Sequence, residues 1–137
     1  MPTAREIMTT DVTCVGEKES LADAARKMAD LGVGSLPICG EDNRLKGMLT
    51  DRDIVVKCIA EGGDPASMKV SELAEGKPVT IGADDDAQEI LRTMSQHKVR
   101  RLPVIDGHQL VGIVAVADVA RALPDRPVGD LIDAISE

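Results

Sequence analysis

The segment Gly47-Met48-Leu49-Thr50-Asp51-Arg52-Asp53 returns 65 positions later as Gly112-Ile113-Val114-Ala115-Val116-Ala117-Asp118. Upstream of it, Leu36-Pro37-Ile38 returns 66 positions later as Leu102-Pro103-Val104. The longer segment keeps its glycine, its apolar pair and its last aspartate in both copies. Its threonine becomes Ala115. The chain therefore reads as a duplicated unit with one intact and one altered polar site, which implies two pockets that differ in binding.

Working outward, each half reads strand, helix, strand, strand, helix. In the first half, residues 12–15 form a short strand pattern. Ser20 and Asp23 have the spacing of a helix-opening capping pair. Leu21, Ala24, Ala25 and Met28 then supply one apolar helix face, and Gly32 closes the helix. Residues 35–39 and 46–49 read as strands joined by a polar loop. A helix over residues 51–60 is expected to carry Ile54, Val55, Cys58 and Ile59 on one side, with Gly62-Gly63-Asp64-Pro65 ending it. In the second half, residues 79–81, 101–105 and 110–114 are the strands. Asp86 and Glu89 replace the capping pair, and Ala87, Ile90, Leu91 and Met94 replace the apolar face. The inter-strand loop is one residue shorter, which explains the change of offset from 66 to 65. A last helix follows Ala115, and Val128, Leu131, Ile132 and Ile135 suggest a short amphipathic helix at the C-terminus. The boundaries read from this pattern are residues 1–65 for the first repeat and 66–137 for the second. A half of this size is marginal by surface-to-volume scaling, so the two are expected to pack about a pseudo-twofold axis.

Composition narrows the function. The chain has 137 residues, 43% of them hydrophobic, and no aromatic residue. Its net charge of −8 disfavours nucleic acid, which needs a basic face. Without aromatics there are no stacking platforms for single strands, and any flat ligand must lie between aliphatic side chains and backbone. No apolar run approaches the ~20 residues that cross a bilayer. The first residues lack a secretory pattern, and the reading places the protein in the cytoplasm. No nucleophile–base pair, metal-ligand spacing or phosphate-binding glycine loop appears, so an enzyme is not expected.

The two in-register copies resemble the CBS domain, named after cystathionine β-synthase, arranged as a tandem pair with a mixed α/β (α+β) fold of two β-α-β-β-α repeats. Val12-Thr13-Cys14-Val15-Gly16-Glu17, Leu36-Pro37-Ile38-Cys39-Gly40 and residues 47–56 carry a closer likeness to stand-alone CBS pairs of the hypoxic response protein type. The resemblance implies a regulatory or stress role, with AMP, ADP, ATP or S-adenosylmethionine bound in clefts between repeats. It maps the ribose-binding carboxylate and the ribose- or phosphate-binding hydroxyl onto Asp53 and Thr50. In the second half it maps only Asp118. Backbone around Leu36-Pro37 and around Arg100-Arg101-Leu102-Pro103 would border the bases. A homodimer and a protein effector are also expected.

The chemistry suits these roles, because one ionised carboxylate accepts hydrogen bonds from both hydroxyls of a ribose. The same Thr50-x-x-Asp53 spacing is equally a helix capping box. Lys98, Arg100 and Arg101 form the densest basic cluster, read either as a phosphate patch or as a solvated loop. Cys14, Cys39 and Cys58 default to reduced thiols. Cys14 and Cys39 lie on strand segments of one repeat, which leaves a disulfide and a redox-linked interaction role as the alternative. His97 and His108 read as surface residues, and no cofactor or metal is required.

Overall fold

The computed structural model describes residues 2–74 and 78–123. The chain divides into two compact units, Thr13–Pro78 and Met1–Val12 together with Val79–Glu137. Each contains one three-stranded sheet.

In the Thr13–Pro78 unit the order is β1 (Val15–Gly16), α2 (Leu21–Leu31), β2 (Ser35–Cys39), β3 (Leu45–Thr50) and α3 (Asp51–Ile54), with α1 (Ala4–Ile7) belonging to the other unit. β1 runs parallel to β2, and β2 runs antiparallel to β3. Ser20 accepts a hydrogen bond from the Asp23 amide at 3.1 Å, and Gly32 ends α2 at φ 67°. Such a left-handed terminus is cheap only without a Cβ. α3 continues as a π-helical turn over Val55–Ile59, with the Ala60 amide donating to the Val55 carbonyl at 2.8 Å. Ile54 and Cys58 are buried, whereas Val55 and Ile59 are each 55% exposed. The expectation that all four share a buried side therefore fails at two positions. Ala25 of α2 is also exposed rather than buried.

The other unit holds α1 (Ala4–Ile7), β4 (Ile81–Gly82), α4 (Ala87–His97), β5 (Arg101–Asp106), β6 (Gln109–Ala115) and α5 (Val116–Ala122). Asp86 caps α4 by accepting from the Glu89 amide at 2.9 Å. Here β4 is parallel to β5, and β5 is antiparallel to β6. The register shifts at Ile38/Cys39 in one sheet and at Val104/Ile105 in the other, so the duplication extends to a shared irregularity.

The compact units are not the sequence halves. Residues 1–12 belong with the second sheet: the Ala4 amide donates to Asp85, the Arg5 amide to Ala83, and Thr9 pairs with Ile113. Residues 66–74 belong with the first: Leu21 donates to Met68, and Val70 to Glu19. A 3₁₀ turn over Val70–Leu73 places Val70 and Leu73 in a core with Leu21, Leu36, Ile38 and Leu49. α1 does the same for the other unit, where Ala4 joins Ile90, Leu102, Val104 and Val114. The segment leading into each repeat thus completes the unit built on the other repeat's sheet. The expected C-terminal helix lies outside the described residues.

Candidate ligand site at the two helix heads

Thr50 ends β3 and caps α3 in extended conformation, φ −112° and ψ 158°. Its Oγ1 accepts from the Asp53 amide at 3.0 Å, and Asp53 Oδ2 accepts from the Thr50 amide at 3.1 Å. The reciprocal pair is a complete capping box. It fixes the Asp53 carboxylate and leaves Oδ1 directed to Lys57 Nζ at 3.5 Å. The Asp53 side chain is 25% exposed.

The equivalent site in the other unit is half of that box. Asp118 Oδ2 accepts from the Ala115 amide at 2.8 Å, and Ala115 offers no oxygen in return. Arg121 occupies the second oxygen: its Nη2 donates to Asp118 Oδ1 at 2.5 Å. The Asp118 side chain is only 10% exposed. One helix head therefore carries a hydroxyl and an accessible carboxylate oxygen. The other carries no hydroxyl and a carboxylate already held by a guanidinium.

The flanking strands are set identically. Asp51 donates to the Gly34 carbonyl at 2.9 Å, and Val116 to the Arg100 carbonyl at 3.0 Å. Ser35 pairs with Thr50 and Arg101 with Ala115. The backbone preceding Leu36-Pro37 and Leu102-Pro103 therefore lies beside each helix head. Leu36 and Leu102 point their side chains into the cores, so at these positions only backbone can face a ligand. Lys98, Arg100, Arg101, His97 and His108 are exposed. Arg121 is a site residue that the sequence reading passes over, and Lys57 is one that it takes for a surface helix charge. Their signal was their spacing from the aspartates, i+4 and i+3, which places side chains on one helix face.

A second feature lies on the first sheet. Cys14 and Cys39 form a disulfide with their Cα atoms 5.7 Å apart, and Cys58 is a buried free thiol. Beside Cys39 opens a hollow of about 830 Å³ lined by Gly16, Glu17, Lys18, Glu19, Gly40, Glu41, Asp42, Lys46 and Ser71. Burial opposes the Glu19 charge, but the Gly16 amide at 2.6 Å and Lys27 at 3.0 Å outweigh it and hold the carboxyl below its ordinary range. The Arg44 amide, with Lys46, does the same for Asp42.

The CBS-domain family model matches residues 4–59 and 70–125. Hypoxic response protein 1 of Mycobacterium tuberculosis is 51% identical over 135 residues, covering 98% of this chain and 94% of that one. The crystal structure of Hypoxic Response Protein I with two coordinated zinc ions matches with a TM-score of 0.84 and 54% identity, over 90% of this chain and 100% of that one. The structure of CBSX2 in complex with AMP matches with a TM-score of 0.78 and 25% identity, over 89% and 96% of the two chains. Among the described residues here, no group of three or more His, Cys, Asp or Glu side chains is placed to hold a metal ion. The described residues of one chain therefore do not fit a zinc centre.

Proposed function

The chain belongs to the CBS-domain family, and on that premise we propose that it is a non-enzymatic regulatory protein of the hypoxic-response type that binds an adenine nucleotide through Thr50 and Asp53. The observation that carries this reading is the Asp53 carboxylate: one oxygen is anchored by the Thr50 amide, and the other lies 3.5 Å from the Lys57 ammonium. An anchored carboxylate with one oxygen to spare can accept from the paired hydroxyls of a ribose. The AMP complex of CBSX2 supports the same ligand class.

Asp118 is the weaker partner. A ribose there must displace Arg121 and finds no hydroxyl at Ala115. A missing neutral hydrogen bond costs about 0.5–1.5 kcal/mol, a several-fold loss of affinity. Isothermal titration with AMP, ADP, ATP and S-adenosylmethionine tests the proposal. Saturable heat dominated by one site is expected. Silence at millimolar ligand, weaker than about −4 kcal/mol, defeats it.

The regulated state is a homodimer in this reading. Leu31, Val55, Val56 and Ile59 stand 44–55% exposed, and apolar surface of that kind favours association. Ligand affects output only through differential affinity for two states, so the signal passes to assembly or to a protein effector. Sedimentation velocity with and without AMP reads this directly. No described helix is long and apolar enough to cross a membrane, and we place the protein in the cytoplasm.

A further inference from the structure

We propose that Lys98, Arg100, Arg101 and Arg121 form a binding site for a chain of phosphates, recognised without a ribose. This site lies beyond the nucleotide reading of Thr50 and Asp53 and stands without it.

Three observations place it. First, the four cations belong to one repeat alone. At the matching positions the other repeat has Gly32, Gly34, Ser35 and Val56, none of them charged. Lys98 keeps its side chain at φ 53°, where its counterpart is Gly32 at φ 67°, and a left-handed backbone favours glycine. Second, one junction gathers them. Arg101 pairs with Ala115 across the sheet, and the Arg100 carbonyl accepts from the Val116 amide at 3.0 Å. Asp118 accepts from the Ala115 amide and from Arg121, and Lys98 stands just ahead of Arg100 in the chain. Third, the positive charge is not cancelled. Four cations stand with one carboxylate, Asp118, whose side chain is 10% exposed against 72% for Arg121. Lys98, Arg100 and Arg101 are exposed, and among the described residues no carboxylate pairs with them. The unit's other acids are held elsewhere. Asp84 and Asp106 pair with Arg5, and Glu89 with Arg92. Asp85 and Asp86 accept from backbone amides, and Glu6 from the Thr3 hydroxyl. The remaining described acid of the unit, Asp11, is exposed and pairs with none of the four cations.

The chemistry left at this junction selects the ligand. A ribose finds no hydroxyl at Ala115 and a carboxylate already held by Arg121. What remains is cationic. A guanidinium presents its N–H donors in a planar fork that matches phosphate oxygens, and Arg121 has donors to spare beyond the bond to Asp118. A lone phosphate meets part of such a cluster, whereas a chain of phosphates brings a charge to each cation. The net charge of −8 opposes general accumulation of polyanions, so binding reports this local excess of positive charge. Charges farther than ~8 Å are largely screened at physiological salt, which leaves the cluster in control.

The test is isothermal titration of the full chain with tripolyphosphate, sulfate and ATP. The ATP arm uses Asp53→Asn, which silences the other helix head. Tripolyphosphate should bind saturably, at least about tenfold tighter than sulfate, and weaken as salt is raised. ATP should bind Asp53→Asn within about threefold of tripolyphosphate, because the ribose adds no hydrogen bond there. The double variant Arg100→Gln, Arg101→Gln should lose at least about tenfold, and Lys98→Gln several-fold, with melting temperatures checked for both. Lys69→Gln removes an exposed cation of the other unit and should change affinity by less than about twofold. No saturable heat with millimolar tripolyphosphate, or equal affinity in a folded Arg100→Gln, Arg101→Gln protein, would overturn the proposal. So would an equal loss in Lys69→Gln. ATP more than about fivefold tighter than tripolyphosphate in Asp53→Asn would show that a ribose is read, and would overturn it as well.

Discussion

Opening the Cys14–Cys39 bond should cost the Thr13–Pro78 unit much of its stability while sparing the other unit. Both cysteines lie in that unit, 25 positions apart. In the chain-entropy account, a cross-link closing a loop of that length removes about 12 cal/mol/K from the unfolded ensemble, or about 3.5 kcal/mol at 25 °C. Domains are stable by only ~5–15 kcal/mol, so this is a large share for a unit of this size. At ~4–8 °C per kcal/mol, its melting temperature should fall by roughly 14–28 °C. The measurement is guanidinium denaturation of oxidised protein, of protein reduced by a phosphine, and of the double variant Cys14→Ser, Cys39→Ser. Native-state amide exchange adds the location. Leu36, Ile38 and Leu49 should lose protection, and Leu102, Val104 and Val114 should keep it. A shift under about 1 kcal/mol, or one spread equally over both sheets, would refute the reasoning.

Other expectations follow from the helix heads and the close contacts. Thr50→Ala removes a cap oxygen bonded at 3.0 Å and should cost about 1 kcal/mol by chemical denaturation, whereas Ala115→Thr adds the missing oxygen and should stabilise by a similar amount. Gly112→Ala should destabilise by ~1–3 kcal/mol, because the new Cβ meets Met8 Sδ at 2.5 Å and the Thr9 carbonyl at 2.8 Å. Gly47→Ala meets Ala74 and Ile38 at 3.6 Å and should change stability far less. The depressed Glu19 carboxyl contributes stability that is present above its unfolded value and lost as the pH falls through its lower folded value. The stability gap between wild type and Glu19→Gln should therefore be widest at neutral pH and close in acid below the ordinary carboxylate range.

The sheets and long helices were legible because their signals are local. Ser20 and Asp86 cap α2 and α4 as their spacing predicts. Ser35–Cys39 is the second strand of its sheet. The duplicated Gly-apolar-apolar segments lead into α3 and α5 in both units. The single turns at Ala4–Ile7 and Val70–Leu73 were passed over because four residues establish no periodicity. Their trace was the duplication itself, carried upstream through Glu6/Glu72 and Ile7/Leu73. That same omission hid the exchange of leading segments, which is a long-range packing outcome. The π turn escaped because widening by one residue leaves no compositional mark. At the site, the Thr50-to-Ala115 change pointed to unequal helix heads. The deeper asymmetry, Arg121 on Asp118 against a more distant Lys57 on Asp53, depends on side-chain placement.

The most direct measurement is AMP titration of wild type, Asp53→Asn and Asp118→Asn under identical conditions, since asparagine preserves shape while removing the charge. The account predicts that wild type binds, that Asp53→Asn loses at least about tenfold in affinity, as removal of a charge-assisted bond worth ~1.5–3 kcal/mol implies, and that Asp118→Asn loses several-fold at most. Binding unchanged in Asp53→Asn, or none in wild type at millimolar AMP, would contradict it.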